Sequence, residues 1–372
     1  MEALEKLQKL QAELNGIVTE RPAEIEGALV ALVAGQHVLL LGPPGTAKSM
    51  LANMVCKAIE GGEYFQWLLT KHSTPEELFG PLSLKALKED TYKRNVKDKL
   101  PEAHIAFLDE IFKANSAILN ALLTTINERK FHNNGKPIDL PLITVFGASN
   151  ELPQGEELGA LYDRFPLRYW VEYIQDDINF EGLLSGAVGN SEPTVSITLD
   201  EIKSMQDAVK NVPLDDQIIK HLIDLRHKLA KKGIKVSDRR WKVAVRLMQA
   251  LAYVRGESEV GVEALDILAH VLWDEPEQQK TVKKELIGFA DPIKVQVVQW
   301  ADAAEEIFRM CADNDWDLQA MTQAHNGLTK IRERIKADLS GRTGKTEKML
   351  QDCLDKVSEK LNVIAGKAFD TK

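Results

Sequence analysis

Apolar residues fall in two rhythms along the first half of the chain. Short unbroken runs at residues 38–41, 64–69, 105–108, 143–148 and 169–174 read as about five buried strands. Between them, residues 24–34, 49–59 and 116–128 repeat their apolar positions every three to four residues, the spacing of helices. Strands alternating with helices predict an α/β domain, an αβα sandwich around a five-stranded parallel sheet. A stretch rich in Gly, Ser, Asn and Pro at 185–193 then reads as a linker. Beyond it the helical spacing continues without strands, at 199–210, 215–230, 238–253 and 262–273.

The last hundred residues stay helical. Residues 295–310 form one amphipathic stretch, and Leu318, Met321, Leu328, Ile331, Ile335 and Leu339 form a stripe on a second. A break with two glycines at 340–345 precedes a third stripe through Met349, Cys353, Val357, Leu361 and Ile364. Such helices either pack on themselves or on the body, or present a docking face for a partner; both readings stay open. The predicted organisation is an αβα core at 1–188, an all-α domain at 195–275 and a helical extension at 276–372.

Composition narrows the class. The chain has 372 residues with 44% hydrophobic and 28% charged residues, which excludes disordered and collagen-like chains. The longest apolar run, at 27–35, falls well short of the ~20 residues that cross a bilayer. The first residues are polar and helical in pattern, unlike a signal peptide. Three widely spaced cysteines, Cys56, Cys311 and Cys353, fit free thiols in a reducing compartment, so a cytoplasmic location is expected. A net charge of −9 argues against nucleic acid as the default partner.

The chemistry sits at two strand ends. After the run 38–41 come Gly42, Pro43, Pro44, Gly45, Thr46, Ala47, Lys48 and Ser49, with Met50 following in the helix that opens there. This resembles the phosphate-binding loop G-x-x-x-x-G-K-[ST], whose backbone N–H groups converge on phosphate oxygens at a helix N-terminus. Lys48 would reach the terminal phosphates and Ser49 would ligate Mg²⁺. Ala47 is accommodated in the loop if its φ stays negative. The run 105–108 ends in Asp109 and Glu110, 61 residues after Lys48. Parallel sheets place ligands at the carboxyl ends of their strands. Asp109 would hold Mg²⁺ through water beside Ser49, and Glu110 would polarise an attacking water. The chain has no Asn-Lys-x-Asp guanine-reading motif, so ATP is the expected nucleotide.

Several segments together resemble an AAA+ ATPase of the MoxR family, and most closely its RavA-type regulatory ATPases. They are Leu40–Ser49, Ser73–Pro81, Phe107–Ala114, Leu122–Arg129, Ala148–Pro153, Leu161–Phe165 and Val236–Trp241, spread over about residues 15–275. The resemblance implies that Asn150 is sensor 1 and positions the water. It implies that Arg164 is an arginine finger acting on a neighbour's ATP, and that Arg239 is sensor 2 on its own protomer's γ-phosphate, with the adjacent Arg240 as the alternative. It also implies a homo-oligomeric ring, a hexamer, that remodels partner protein complexes in a chaperone-like way with a von Willebrand factor A-domain adaptor. Residues 130–140, with Asn134-Gly135 at their centre, read as a hairpin before sensor 1. Residues 82–100 match the family's helix-2 insert and carry Lys93, Arg94, Lys97 and Lys99. A nucleic-acid motor or loader of the helix-2-insert class is the alternative function.

Overall fold

The computed structural model describes residues 2–186, 191–289, 292–313, 316–339 and 345–370. The chain divides into two compact units, Met1–Lys283 and Lys284–Lys372.

Five parallel strands form the centre of the first unit: β1 (Val38–Leu41), β2 (Tyr64–Leu68), β3 (Ile105–Asp109), β4 (Thr144–Ser149) and β5 (Leu167–Trp170). Their order across the sheet is β2-β3-β4-β1-β5. Every residue of β1 and β4 is buried, as central strands covered on both faces require. The register Leu41↔Ser149 and Leu68↔Asp109 brings the carboxyl ends of these strands level. The strand predicted at 169–174 lies earlier. It starts after Pro166, runs through the buried Leu167–Tyr169, and its last ladder bond is from Val171 N to Leu41 O at 2.7 Å.

Helices α1 (Glu2–Ile17), α2 (Pro22–Ala34), α3 (Lys48–Lys57), α4 (Ser116–Glu128) and α5 (Glu156–Tyr162) surround the sheet. Helix α1 buries Leu7, Leu10, Leu14 and Ile17, a stripe at three- and four-residue spacing. Helix α2 is buried around most of its circumference, from Ile25 to Ala34, because it is covered by the sheet on one side and other helices on the rest. Gly27 on it leaves room for Tyr169: a Cβ there would meet the phenol oxygen at 1.8 Å.

After the sheet come α6 (Leu199–Lys210), α7 (Asp216–Lys231) and α8 (Asp238–Arg255), followed by a 3-10 segment, Val262–His270, where an α-helix was expected. Part of the predicted linker, 187–190, lies outside the described residues. A buried polar cluster ties these helices to the sheet. Arg168 on β5 is fully buried and donates to Phe165 O, Tyr162 O, Trp273 O and Asp274 Oδ1 at 2.6–3.0 Å. Arg240 on α8 pairs with Asp163 at 3.1 Å and Asp274 at 2.9 Å. Two buried guanidinium groups are thus matched by carboxylates and carbonyls, as burial of charge demands.

The hairpin forms as predicted, Lys130–Asn133 against Lys136–Asp139, with Asn134 and Gly135 both at positive φ in the two-residue turn. It docks on the 82–100 segment. Asn133 accepts from Arg94 N at 2.7 Å and donates to Arg94 O at 3.2 Å, while Tyr92 and Asn134 exchange two further bonds.

In the second unit the helices α9 (Pro292–Asp313), α10 (Leu318–Leu339) and α11 (Lys345–Asp370) pack on one another. Their shared core includes Ala304, Met321, Leu328, Ile335, Leu350, Val357 and Ile364, with Leu339 and Met349 partly buried against it, so the described positions of the predicted stripes on α10 and α11 pack within the bundle. The predicted break at 340–345 falls largely outside the described residues.

Candidate active site

The turn from β1 into α3 and the end of β3 face one cavity of about 480 Å³. Its lining includes Pro44, Gly45, Thr46, Ala47, Lys48, Ser49 and Met50 from the loop, with Asp109, Glu110 and Asn150 opposite. Gly42 and Pro43 shape the loop from behind the cavity. Gly42 sits at φ 136°, and a Cβ on it would meet Val171 O at 2.2 Å, so only glycine fits between β1 and the chain leaving β5.

Lys48 is buried and its ammonium group donates to Gly42 O and Pro43 O, each at 2.7 Å, and to Asn150 Oδ1 at 3.3 Å. Burial lowers its pKa, and the nearby Asp109 and Glu110 carboxylates oppose that shift. Asn150 uses its other end as well, donating from Nδ2 to Glu110 Oε1 at 2.7 Å. The second Glu110 oxygen lies 3.3 Å from Lys113 Nζ. Asp109 Oδ1 accepts the Glu110 backbone N–H at 2.9 Å. Lysine, amide and carboxylate therefore form one chain from the loop to the end of β3. Ser49 and Asp109 are hard oxygen donors lining the same cavity, a set that suits Mg²⁺.

Two residues of this cavity adopt left-handed backbone. Glu110 has φ 52° and ψ 43°, where the chain turns sharply out of β3. Ala47 has φ 64° and ψ 22°, which overturns the expectation of a negative φ. The loop must reverse immediately before α3, and it does so in the αL region that glycine occupies at low cost and alanine does not. Strained backbone of this kind gathers at functional sites.

A second, apolar pocket of about 280 Å³ shares Gly45, Thr46, Ala47 and Met50 with the first. Its other walls come from the end of α1 (Ile17, Val18, Thr19) and from the chain after β5 (Tyr173, Ile174, Phe180, Leu183). Sequence reasoning did not find these residues. They lie more than 150 positions apart, and their one local signal is the short helix Asp177–Leu184, which is half apolar yet buries no residue.

Arg164 and Arg239 are not at the loop. Both line a separate basic cleft of about 650 Å³, with Arg129, Arg240, Arg246 and Lys210. Arg164 donates to Ala160 O at 3.1 Å, and its pKa is lowered by burial and by the charge of Arg239. Arg239 is exposed and has no partner among the described residues, whereas Arg240 is buried in the cluster with Asp163 and Asp274. That cluster pins the start of α8 against residues 162–168. Arg239 is thereby set beside Arg164 and not at the phosphate loop of the same chain, where the resemblance placed it.

Known proteins resemble this chain over most of its length. The model of the MoxR domain in the MoxR-vWA-beta-propeller ternary systems matches residues 5–207, and that of an AAA lid domain matches residues 217–286. An uncharacterized protein of Methanocaldococcus jannaschii is 41% identical over 307 residues, covering 82% of this chain and 80% of its own. The chaperone MoxR1 of Mycobacterium tuberculosis is 27% identical over 137 residues, 36% of this chain and 35% of its own. The solved structure of a candidate ATPase from Cytophaga hutchinsonii superposes with a TM-score of 0.61 at 19% identity, over 77% of this chain and 94% of its own, a likeness of fold. No helix among the described residues is long and apolar enough to cross a membrane. The chain belongs to the MoxR family of AAA+ ATPases.

Proposed function

We propose that this chain binds and hydrolyses ATP at a site completed by a second copy of itself, and that the resulting motion remodels a partner protein complex. The observation that carries the reading is the convergence of Lys48, Asp109, Glu110 and Asn150 on one cavity beside an apolar pocket. The cavity suits a triphosphate and the pocket suits adenine, with the loop as their common wall. Lys48 would leave the Gly42 and Pro43 carbonyls for the β- and γ-phosphates. Ser49 and Asp109 would hold Mg²⁺, which when bound neutralises charge on the phosphate oxygens. Glu110 would take a proton from the attacking water, with Asn150 fixing the carboxylate's direction.

Arg164 and Arg239 lie outside this cavity, so they serve a neighbour's γ-phosphate together, Arg164 offsetting charge that develops in the transition state. A head-to-tail contact of this kind closes into a ring when its rotation closes, and the proposed ring is a hexamer. Residues 1–188 are then the ATPase core and 195–275 the lid. The docked insert and hairpin expose Leu84, Leu87, Tyr92 and Ile138, an apolar surface suited to a client protein. A von Willebrand factor A-domain protein is the proposed adaptor, in keeping with the systems for which the matching MoxR domain is named.

A mixing experiment tests the shared site. Arg164→Ala and Lys48→Ala are each expected to lose hydrolysis, the first while still binding ATP. Mixed, they should regain part of the activity, because an intact Arg164 meets an intact Lys48 at some seams. No phosphate release at any mixing ratio contradicts action across a seam.

A further inference from the structure

Resting on the reading that the apolar pocket takes the base of ATP, we infer that Glu20 is the positioning residue of that pocket. Its carboxylate clasps the chain after β5 to the end of α1, and the base meets a complete lining only while the clasp is closed. The lining comes from two stretches far apart in sequence. Ile17, Val18 and Arg21 belong to the first, Tyr173, Phe180 and Leu183 to the second. The first stretch is anchored in the body, since Ile17, Val18 and Arg21 are all buried. The second is not. Tyr173, Phe180 and Leu183 are each about half exposed, and the helix Asp177–Leu184 buries no residue. A segment with so little buried apolar surface opens easily unless something else ties it down.

The ties end on two adjacent residues between α1 and α2. Glu20 Oε2 accepts Gln175 N at 2.8 Å, and Oε1 accepts Asp176 N at 3.0 Å and Asn179 Nδ2 at 2.9 Å. Arg21 donates from Nη2 to Glu172 O, and from Nη1 to Glu20 O at 2.7 Å. Among the described residues, no other hydrogen bond or ion pair joins 172–184 to the rest of the chain. The three donors hold the Glu20 carboxyl below the ordinary carboxylate range, the Gln175 N–H most of all, so at neutral pH it is an ionised acceptor. Glu20 also stands at φ 56°, in left-handed backbone that an L-residue enters at a cost. Such strain persists where surrounding contacts over-determine it, and here those contacts run to the far side of the pocket.

The clasp acts on one part of the nucleotide and not the other. When it opens, Phe180 and Leu183 leave with their segment. The phosphate loop is anchored by β1 and α3 instead, so the triphosphate keeps its site. Affinity for ATP then falls with the fraction of chains whose lining is in place, while affinity for the phosphates alone does not.

The test is calorimetric titration of the full chain with Mg²⁺-ATP and, separately, with Mg²⁺ and inorganic triphosphate. Glu20→Gly removes all three acceptor contacts, and glycine relaxes at this φ, so the turn itself should survive. Glu20→Gln keeps one of the two oxygens; it grades the effect and serves alone if the glycine variant does not fold. Glu20→Gly is expected to bind ATP at least about five-fold more weakly and triphosphate as the wild type does, with Glu20→Gln between. Amide hydrogen exchange over 172–184, without nucleotide, should quicken in Glu20→Gly and stay unchanged over 38–41. Phe180→Ala, titrated alongside, reports on the pocket itself. If Phe180→Ala weakens ATP alone while both Glu20 variants keep wild-type affinity, the base sits in the pocket and the clasp does not position it. Equal losses for ATP and triphosphate in the Glu20 variants would make Glu20 a support of the fold, which also overturns the inference. If Phe180→Ala changes nothing, the base lies elsewhere, and the pocket reading falls together with the inference built on it.

Discussion

Ala47→Gly is expected to stabilise the protein, although it removes a methyl group. Ala47 stands at φ 64° and ψ 22°, immediately before α3. An L-residue in this region brings Cβ close to the following carbonyl, at a cost of roughly 1–2 kcal/mol. Glycine escapes that cost but widens the unfolded ensemble, which returns about 0.4–1 kcal/mol. The methyl is exposed, so its loss leaves no cavity. The balance is a gain of about 0.5–1 kcal/mol. For a unit the size of Met1–Lys283 this should raise the melting temperature by roughly 1–3 °C. Ala47→Val should move it further in the opposite direction, since a β-branched chain tolerates positive φ least. Differential scanning calorimetry without nucleotide reads both. If Ala47→Gly melts lower than the wild type while Ala47→Val is unchanged, the loop does not hold the left-handed turn.

Three other perturbations address the site and the core beneath it. Glu110→Gln should lower the rate of phosphate release by at least about 100-fold, the contribution of a positioned general base, while fluorescent ATP binds as before; unchanged release would mean another group handles the water. Phe180→Ala should weaken ATP about five-fold, the lower end of a base–aromatic contact because the ring is half exposed, and leave inorganic triphosphate binding unaltered. An equal loss for both ligands in calorimetric titration would remove the base from that pocket. The third concerns His37. Burial holds its pKa down at about 3, and its Nδ1 accepts the Val145 N–H at 3.0 Å, which leaves Nε2 to donate to Ile126 O. Protonation would destroy that acceptor. The unfolded chain therefore binds a proton that the fold refuses, and the stability present above pH 6.5 drains as pH falls toward 3, at up to about 1.4 kcal/mol per unit. His37→Asn keeps an acceptor without the titration, so its melting temperature should fall less steeply between pH 6.5 and 4.5. Parallel slopes for the two proteins would exclude His37 as the source.

Much of this architecture is legible because local pattern and burial agree. Val38–Leu41 is unbroken apolar sequence, and the strand is buried at every position. The spacing over 116–128 predicts a helix, and Ser116–Glu128 forms with Asn115 as its cap, accepting from Ile118 N at 3.1 Å. Asn134-Gly135 announces its turn for a purely local reason, the ease of positive φ at both residues. The pattern misleads where apolar spacing is compatible with more than one conformation. Residues 262–273 carry helical spacing, yet the chain winds more tightly through Val262–His270 and buries Trp273 beyond it.

The site divides along the same line. The residues that share the first cavity lie in contiguous motifs at strand ends, so the loop, Asp109 and Glu110 are readable one segment at a time. The basic cleft is not, because it depends on which of two adjacent arginines the fold consumes. The resemblance points to Arg239, with the adjacent Arg240 as its alternative. Only the convergence of Asp163 from the end of α5 and Asp274 from beyond the 3-10 segment, on positions 111 residues apart, commits Arg240 to the interior. With Arg240 buried against these carboxylates, the helix start is held near β5 and Arg239 lines the cleft of Arg164, away from its own phosphate loop. Under the proposed function, a second chain supplies the anion that Arg164 and Arg239 jointly face. A long-range burial of charge, invisible to periodicity and to motif alike, thus decides which of the two arginines is left exposed beside Arg164.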